Sequence, residues 1–148
     1  MADPLDVVAA RIARIALAEV PSLGRVGPGP VLTVVRNTRT GKIYVGLNTG
    51  VPRQVSDALY KAILDQHARI WSGEVVVVRT AADAVGGHSE VNALNPAILD
   101  QERVLGRKLV EKDLGIFELH NVWLSGNRSM TTAPRCEHCA RITRGVSV

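Results

Sequence analysis

The spacing of one histidine and two cysteines constrains the fold of this chain more than any other feature. His88 opens the tripeptide H-S-E, and Cys136 and Cys139, which are the chain's two cysteines, form a C-x-x-C pattern much further along. An imidazole and two thiolates are ligands that zinc takes, and three protein ligands leave a fourth position open for water, as in catalytic zinc sites. The sequence therefore predicts a fold that brings two distant segments together around one Zn²⁺ ion.

The start of a helix is the position that suits each motif. Residues three apart, such as Cys136 and Cys139, lie on one side of a helical turn, and the positive end of a helix favours the thiolate form. Residues two apart point to opposite sides inside a helix, so His88 and Glu90 can share a pocket only where a helix begins. Gly86-Gly87, directly before, gives the backbone freedom for that turn. We expect the zinc site to lie between two helix N-termini.

The combination of H-x-E with a later C-x-x-C resembles the signature of the zinc-dependent nucleobase and nucleoside deaminases. The resemblance extends through residues 86–94 and 132–139, and it is greatest to the YwqJ-like deaminases, which are C-terminal toxin domains of secreted bacterial polymorphic toxins. It implies a three-layer α/β fold in which a β-hairpin begins a central mixed sheet and helices cover both faces. A chain of 148 residues is long enough for one such domain, over 1–148, and too short for two ordinary domains.

The resemblance gives Glu90 the role of a proton shuttle that does not bind the metal. Zinc lowers the pKa of bound water to about 7, and Glu90 then passes the proton of that water to N3 of cytosine while hydroxide attacks C4. The expected enzyme is a hydrolase acting on C–N bonds in cyclic amidines, with uracil and ammonia as products. In one departure from the family pattern, Arg135 separates Pro134 from Cys136. Whether Arg135 contacts a phosphate or is simply solvated stays open.

Several polar residues are candidates for substrate contact. Asn48 stands where many deaminases keep an asparagine that binds the sugar or base, although it also suits a turn that ends a hairpin. The loop before the cysteines carries four residues that could line the mouth of the site: Ser125, Asn127, Arg128 and Ser129. The remaining histidines, at positions 67, 120 and 138, are expected to be satisfied elsewhere or solvated.

Hydrophobic spacing and turn residues predict the elements of the N-terminal half. They indicate an amphipathic helix over 5–20, two strands over 31–36 and 42–47 joined by a turn, and a second helix ending near Ile70. A short strand over Glu74–Arg79 follows. The segment 53–85 is an insertion relative to the common deaminase pattern, and the sequence does not assign it a role.

The C-terminal half contains the two ligand helices. The first is expected to run from His88 towards Leu109, with a kink or a restart capped by Asn95 at Pro96. Its core-facing residues are predicted to be Val91, Leu94, Ile98, Leu99 and Leu105. A strand over 116–124, a loop, and a helix from Cys136 to about Arg144 complete the pattern. Only 146–148 remains for another strand, so the sheet is either shortened or completed by residues 74–79.

The charge balance favours a polyanionic partner, but only modestly, since the net charge is +4. We expect a toxin domain that converts cytosine to uracil in nucleic acid and prefers single-stranded DNA, with RNA and duplex DNA left open. The aromatic content of 3% argues against tracking along a strand by serial base stacking. The alternatives are a deaminase of free cytidine or a related small aminoheterocycle, and a non-catalytic zinc-stabilised binding module. Glu90 counts against the module, because an unligated carboxylate beside zinc has no structural purpose.

The sequence gives less support to two other functions of the cysteines, a redox motif and a closed structural zinc site. A thioredoxin-like C-x-x-C normally follows an early strand, and this one lies near the end of the sequence. A closed structural zinc would need His67, His120 or His138 as a fourth ligand, yet no H-x₃₋₅-H pair accompanies the cysteines.

Targeting features are few. Residues 1–4 do not resemble a signal peptide, and no apolar run approaches the roughly 20 residues that span a bilayer. The toxin resemblance implies secretion or delivery as part of a larger toxin, action in the target-cell cytoplasm, and a neutralising immunity protein as partner. The oligomeric state is not predicted.

Overall fold

The computed structural model describes residues 3–21, 31–47, 49, 52–72, 88–124, 131–135 and 137–148, without the side chains of residues 67, 70, 71 and 137. The described residues form a mixed α/β structure. Its elements in chain order are α1 (Leu5–Glu19), β1 (Val31–Asn37), β2 (Ile43–Gly46), α2 (Asp57–Trp71), α3 (Ser89–Leu105), a 3₁₀ helix (Glu111–Ile116), β3 (Phe117–Trp123) and α4 (Glu137–Ile142).

The sheet is antiparallel and ordered β2-β1-β3. The predicted hairpin of β1 and β2 is confirmed, with Thr33 opposite Gly46. On the other side of β1, Thr33 lies opposite Asn121 of β3. Gly46, Thr33 and Asn121 therefore form one row across the sheet.

Helices pack on both faces of the sheet, as predicted. On one face, Ala9 and Ala13 of α1 pack against Leu32, Val34 and Val122. The other face belongs to a core cluster shared by α2, α3 and α4, whose buried members include Val35, Leu59, Leu94, Ile98, Phe117, Leu119 and Ile142. Because β1 lies between two packed layers, apolar side chains occupy both of its faces.

Gly46 determines how closely α3 approaches the sheet. A Cβ atom at this position would overlap the backbone of Ser89 and Ala93 and would lie 2.7 Å from the carbonyl carbon of Asn92. These residues belong to the first turns of α3. The missing side chain at position 46 therefore lets the start of α3 rest directly on the sheet.

The start of α3 agrees with the prediction, and its end does not. His88 is the extended residue before the first turn, with φ −75° and ψ 167°, but the helix stops at Leu105 and not near Leu109. Gly106 adopts the left-handed conformation with φ 69°, and its N–H donates to the carbonyl of Glu102, a common way for glycine to end a helix. The predicted core position Leu105 is wrong, because this last helical residue is 44% exposed.

The helix passes through Pro96 without a restart. Asn95 does not cap a new helix: its Oδ1 accepts from the N–H of Ser56 at 2.8 Å, and its Nδ2 donates to the carbonyl of Gln54 at 2.7 Å. These bonds join α3 to the residues that precede α2. The other predicted core residues of α3 lie inward, with Val91, Leu94 and Ile98 buried and Leu99 half-buried.

The segment after β2, to which the sequence assigned no role, packs α2 against α4. Gln66 of α2 is 1% exposed, and its Nε2 lies 2.7 Å from Nδ1 of His138. The predicted strand over 74–79 lies outside the described residues. Within the described part of the chain, α2 therefore supports the helix that carries Cys139.

α4 ends at Ile142, slightly before the predicted limit at Arg144, and the chain then returns to β3. The N–H of Ser147 donates to the carbonyl of Phe117 at 3.0 Å, and the N–H of Leu119 donates to the carbonyl of Ser147 at 2.9 Å. The predicted mixed sheet is thus represented, in the described residues, by one parallel bridge beside three antiparallel strands. None of the described helices is long and apolar enough to cross a membrane.

Candidate functional site

The two motifs that the sequence singled out meet in space. Nδ1 of His88, the residue before α3, lies 3.1 Å from Sγ of Cys139 in α4. Cys139 is 2% exposed and is not part of a disulfide. Residues 51 positions apart are therefore brought into contact, as the prediction of a shared site requires.

An imidazole nitrogen beside a thiol sulfur suits zinc. Typical Zn–N and Zn–S bond lengths put two tetrahedral ligand atoms roughly 3.6 Å apart, so His88 and Cys139 need to separate by only about half an ångström. Cys136 lies outside the described residues, as does Asn48. Among the residues that are described, no group of three His, Cys, Asp or Glu side chains is placed to hold a metal ion. The third ligand and the zinc ion stay predictions.

The carboxylate of Glu90, in the first turn of α3, is 2% exposed and is surrounded by hydrogen-bond donors. Its Oε2 accepts from Nδ2 of Asn121 at 2.8 Å. Its Oε1 lies 2.8 Å from Nη2 and 3.0 Å from Nε of Arg135, and 3.1 Å from the hydroxyl of Thr143. Arg135 Nε also lies 3.3 Å from Oε2. A carboxylate has about four lone-pair sites, and two N–H groups of Arg135 and the amide of Asn121 face three of them. The single hydroxyl hydrogen of Thr143 serves either Glu90 or the carbonyl of Cys139, which lies 2.7 Å away.

The pairing of strands brings these donors to Glu90. Thr131 and Ala133 lie beside β3 and pair with it. The N–H of Trp123 donates to the carbonyl of Thr131, and the N–H of Ala133 donates to the carbonyl of Asn121, both at 2.9 Å. This pairing places Arg135 over the first turn of α3. The Arg135 guanidinium also donates to the hydroxyl of Thr143, so it joins the chain before α4 to the residue just after that helix.

Of the two alternatives that the sequence left open, simple solvation of Arg135 is wrong, and contact with a phosphate stays a prediction. Arg135 forms a salt bridge with Glu90 in which the side chains are 22% and 2% exposed, respectively. Asn121 is held in turn by Thr33, whose Oγ1 lies 2.5 Å from Oδ1 of Asn121 and 2.7 Å from Oγ of Ser89. The carboxylate belongs to a buried polar network that joins the sheet, the start of α3 and the residue just after α4.

Two of the other histidines have partners away from this site, as expected. Nδ1 of His138 contacts Gln66. His120 lies 3.2 Å from the Thr132 hydroxyl and shares a surface cavity with residues of α1, on the opposite face of the sheet. Neither contact favours a closed zinc site with one of these histidines as fourth ligand. Position 67 and the loop residues at 125, 127, 128 and 129 lie outside what the structure describes.

Sequence reasoning missed Asn121, Thr33 and Thr143. Phe117 and Leu119 face the α3 side of the sheet, so alternation along β3 places Asn121 inward as well. A polar residue at a core position is the signal that could have identified it. Thr33 shows the same signal on β1, and Thr143 lies one helical turn after Cys139.

Comparison with known proteins gives one relevant similarity. No protein-family model matches the chain, and no solved structure matches it. The chain is similar to Toxin YwqJ of Bacillus subtilis (strain 168), with 27% identity over 122 residues, which is 80% of this chain and 19% of that protein. The chain thus spans about a fifth of the length of that toxin. The similarity suggests a toxin-like family.

Proposed function

We propose that this chain is a zinc-dependent hydrolytic deaminase that converts cytosine to uracil in nucleic acid, with single-stranded DNA preferred, and that it acts as a toxin domain. One observation carries the proposal: the fully buried carboxylate of Glu90 follows His88, whose imidazole contacts the thiol of Cys139. Burying a carboxylate is unfavourable unless ionic and hydrogen-bond partners compensate for it, and Arg135 and Asn121 supply these to Glu90. An H-x-E motif that contacts a C-x-x-C segment supports the task of a deaminase.

His88, Cys136 and Cys139 would hold the metal ion. Zinc, when bound, supplies a Lewis acid that makes water nucleophilic near neutral pH. The chain contributes the placement of the ligands: His88 is fixed at the start of α3, and Cys139 is fixed in α4, which α2 supports through Gln66 and His138.

Glu90 would move the protons of the reaction. Water adds its oxygen to C4 of cytosine, the bond from C4 to the amino nitrogen breaks, and ammonia leaves, so that uracil remains. Glu90 accepts one proton from the water and delivers it to N3 of the ring. It then accepts the second proton from the new hydroxyl group on C4 and passes it to the departing amine. Asn121 and Thr143, at 2.8 and 3.1 Å, hold the carboxylate in position.

Two properties of the chain support nucleic acid as substrate and a toxin as context. The net charge of +4 favours an anionic partner. The similarity to a protein named as a toxin supports that role, delivery to a target cell and a neutralising immunity protein as partner.

The direct test is to incubate the zinc-loaded protein separately with single-stranded DNA, duplex DNA, RNA and free cytidine, and to measure uracil and ammonia. Glu90→Gln is the inactive control. We expect conversion in single-stranded DNA that weakens steeply as salt rises, because phosphate contacts release counterions. Fast, salt-insensitive turnover of cytidine without conversion in oligonucleotides would indicate a small-molecule deaminase. Zinc binding without turnover of any substrate would indicate a binding module.

A further inference from the structure

We propose that Arg135 is a specificity-determining latch on Glu90. It leaves the carboxylate when a phosphate of the substrate binds its guanidinium, so the site favours cytosine that carries a phosphate over the free nucleoside. This inference rests on the proposed function, because it concerns the same carboxylate.

Arg135 occupies more of the space around the Glu90 carboxylate than its other partners do. Arg135 supplies contacts of 2.8 and 3.0 Å to Oε1 and 3.3 Å to Oε2, and Thr143 and Asn121 approach the same two oxygens. A carboxylate that accepts a proton from water needs a lone pair that no other donor faces. Arg135 faces both oxygens of Glu90, so its withdrawal frees the lone pairs with which Glu90 can act as a base.

The three partners of Glu90 differ in how easily they can withdraw from it. Asn121 is 5% exposed and its amide is held by Thr33. Thr143 is fully buried, and its hydroxyl also lies 2.7 Å from the carbonyl of Cys139. Arg135 has a long side chain that is 22% exposed. Of these three donors, only Arg135 can reach solvent without disturbing the core.

Arg135 leaves Glu90 only if a ligand binds the guanidinium more favourably in the withdrawn position. A ligand shifts an equilibrium between two arrangements only if it binds one of them better. A guanidinium matches the oxygen atoms of a phosphate through two parallel hydrogen bonds. A neutral nucleoside has no phosphate to bind the Arg135 guanidinium, so Arg135 stays on Glu90 when the nucleoside binds. The ligand chemistry is therefore a phosphate close to the cytosine, either on a free nucleotide or in a nucleic-acid strand.

Steady-state kinetics on deoxycytidine, deoxycytidine 5′-monophosphate and a DNA oligonucleotide with one cytosine test the latch. The variants are Arg135→Gln, Arg135→Lys and the control Arg103→Gln, which removes a charge near the far end of α3, where the side chain is 71% exposed. We expect the wild type to prefer the phosphorylated substrates by kcat/KM. Arg135→Gln should lose that preference by about tenfold or more, and Arg135→Lys should lie between the wild type and Arg135→Gln. Preference for the monophosphate places the recognised group on a free nucleotide, and preference for the oligonucleotide alone places it in the strand.

A binding measurement separates this inference from the proposed function. The NMR signal of the Arg135 Nε–H group, assigned by its loss in Arg135→Lys, should shift when the monophosphate or the oligonucleotide is added to the wild-type protein, and should stay in place with deoxycytidine. That result in a protein without deaminase activity would support the latch and overturn the proposed function. Equal losses on all three substrates in Arg135→Gln, or a signal that does not respond to phosphate, would overturn the latch while deamination stands.

Discussion

The hydroxyl of Thr33 and the amide oxygen of Asn121 lie 2.5 Å apart across the pairing of β1 and β3. Because an amide oxygen cannot donate, the hydrogen in this contact comes from Thr33. The NH₂ group of Asn121 then points to Glu90, whereas the reversed amide would place its oxygen against a carboxylate. Thr33 therefore fixes the direction in which Asn121 donates.

Thr33→Val should remove the hydroxyl group that fixes the orientation of the Asn121 amide, while keeping the shape of the side chain. We expect the free energy of unfolding to fall by about 1–3 kcal/mol, because buried polar groups lose a partner, and kcat to fall more than KM changes. Denaturant unfolding and steady-state kinetics measure the two effects. Thr38→Val, at an exposed position in the turn after β1, is the matched control. Wild-type values in Thr33→Val would contradict the role given to Asn121.

Glu90→Gln should retain zinc and lose activity. Glutamine keeps the size of the side chain but cannot shuttle a proton, so kcat should fall by about 10²–10⁴-fold, the range typical of general acid–base groups. Metal analysis and an ammonia-release assay on the same preparation check both halves of the prediction. Turnover close to wild type would exclude Glu90 as the proton shuttle.

His88→Ala and His120→Ala form a matched pair for the metal site. His88 contacts Cys139, whereas His120 lies on the opposite face of the sheet beside α1. We expect loss of zinc in the first variant together with lower stability, since metal binding is coupled to folding, and full zinc content in the second. Cys136→Ala should behave like His88→Ala. Full occupancy in either ligand variant would rule that residue out as a ligand.

Gly46→Ala should displace the start of α3. The added Cβ would overlap the backbone of Ser89 and Ala93, and overpacking of this kind costs about 1–3 kcal/mol. Gly115→Ala is the control, because the nearest atom to its added Cβ is 3.9 Å away. Thermal unfolding should distinguish the variants, and Gly46→Ala should also bind zinc less tightly. Equal stabilities would show that α3 tolerates a shift from the sheet.

Asp100 makes a stability contribution that depends on pH. Hydrogen bonds from Lys42, then Tyr44 and Arg103, hold the pKa of this carboxyl well below its usual range, while burial and the bond to Asp100 raise the pKa of Tyr44. A depressed carboxyl pKa stabilises the fold above the unfolded-state pKa of about 3.9, and that gain is lost as pH falls towards the folded-state value. Asp100→Asn should therefore unfold at a lower temperature than wild type at pH 7, and the difference should shrink below about pH 4. A difference that does not change with pH would contradict this assignment.

Patterns among neighbouring residues predicted the elements whose formation depends on neighbouring residues. The hairpin, α1 and the start of α3 follow from alternation, helical spacing and the glycines before His88. The end of α3 was misplaced because Gly106 stops the helix through its backbone conformation, which apolar spacing does not reveal. The pairing of Glu90 with Arg135 was missed because it joins residues 45 positions apart. Such contacts depend on how β3 and the following segment cross α3, which no local window contains.

The partners of Glu90 also bear on the order of events when the chain folds. Asn121, Arg135 and Thr143 lie 31, 45 and 53 positions after it. Closing loops of that length carries an entropic cost before any contact forms, whereas helices can form from neighbouring residues alone. A refolding chain should thus recover its helical circular dichroism before the proposed deaminase activity, and that activity would report completion of the tertiary structure.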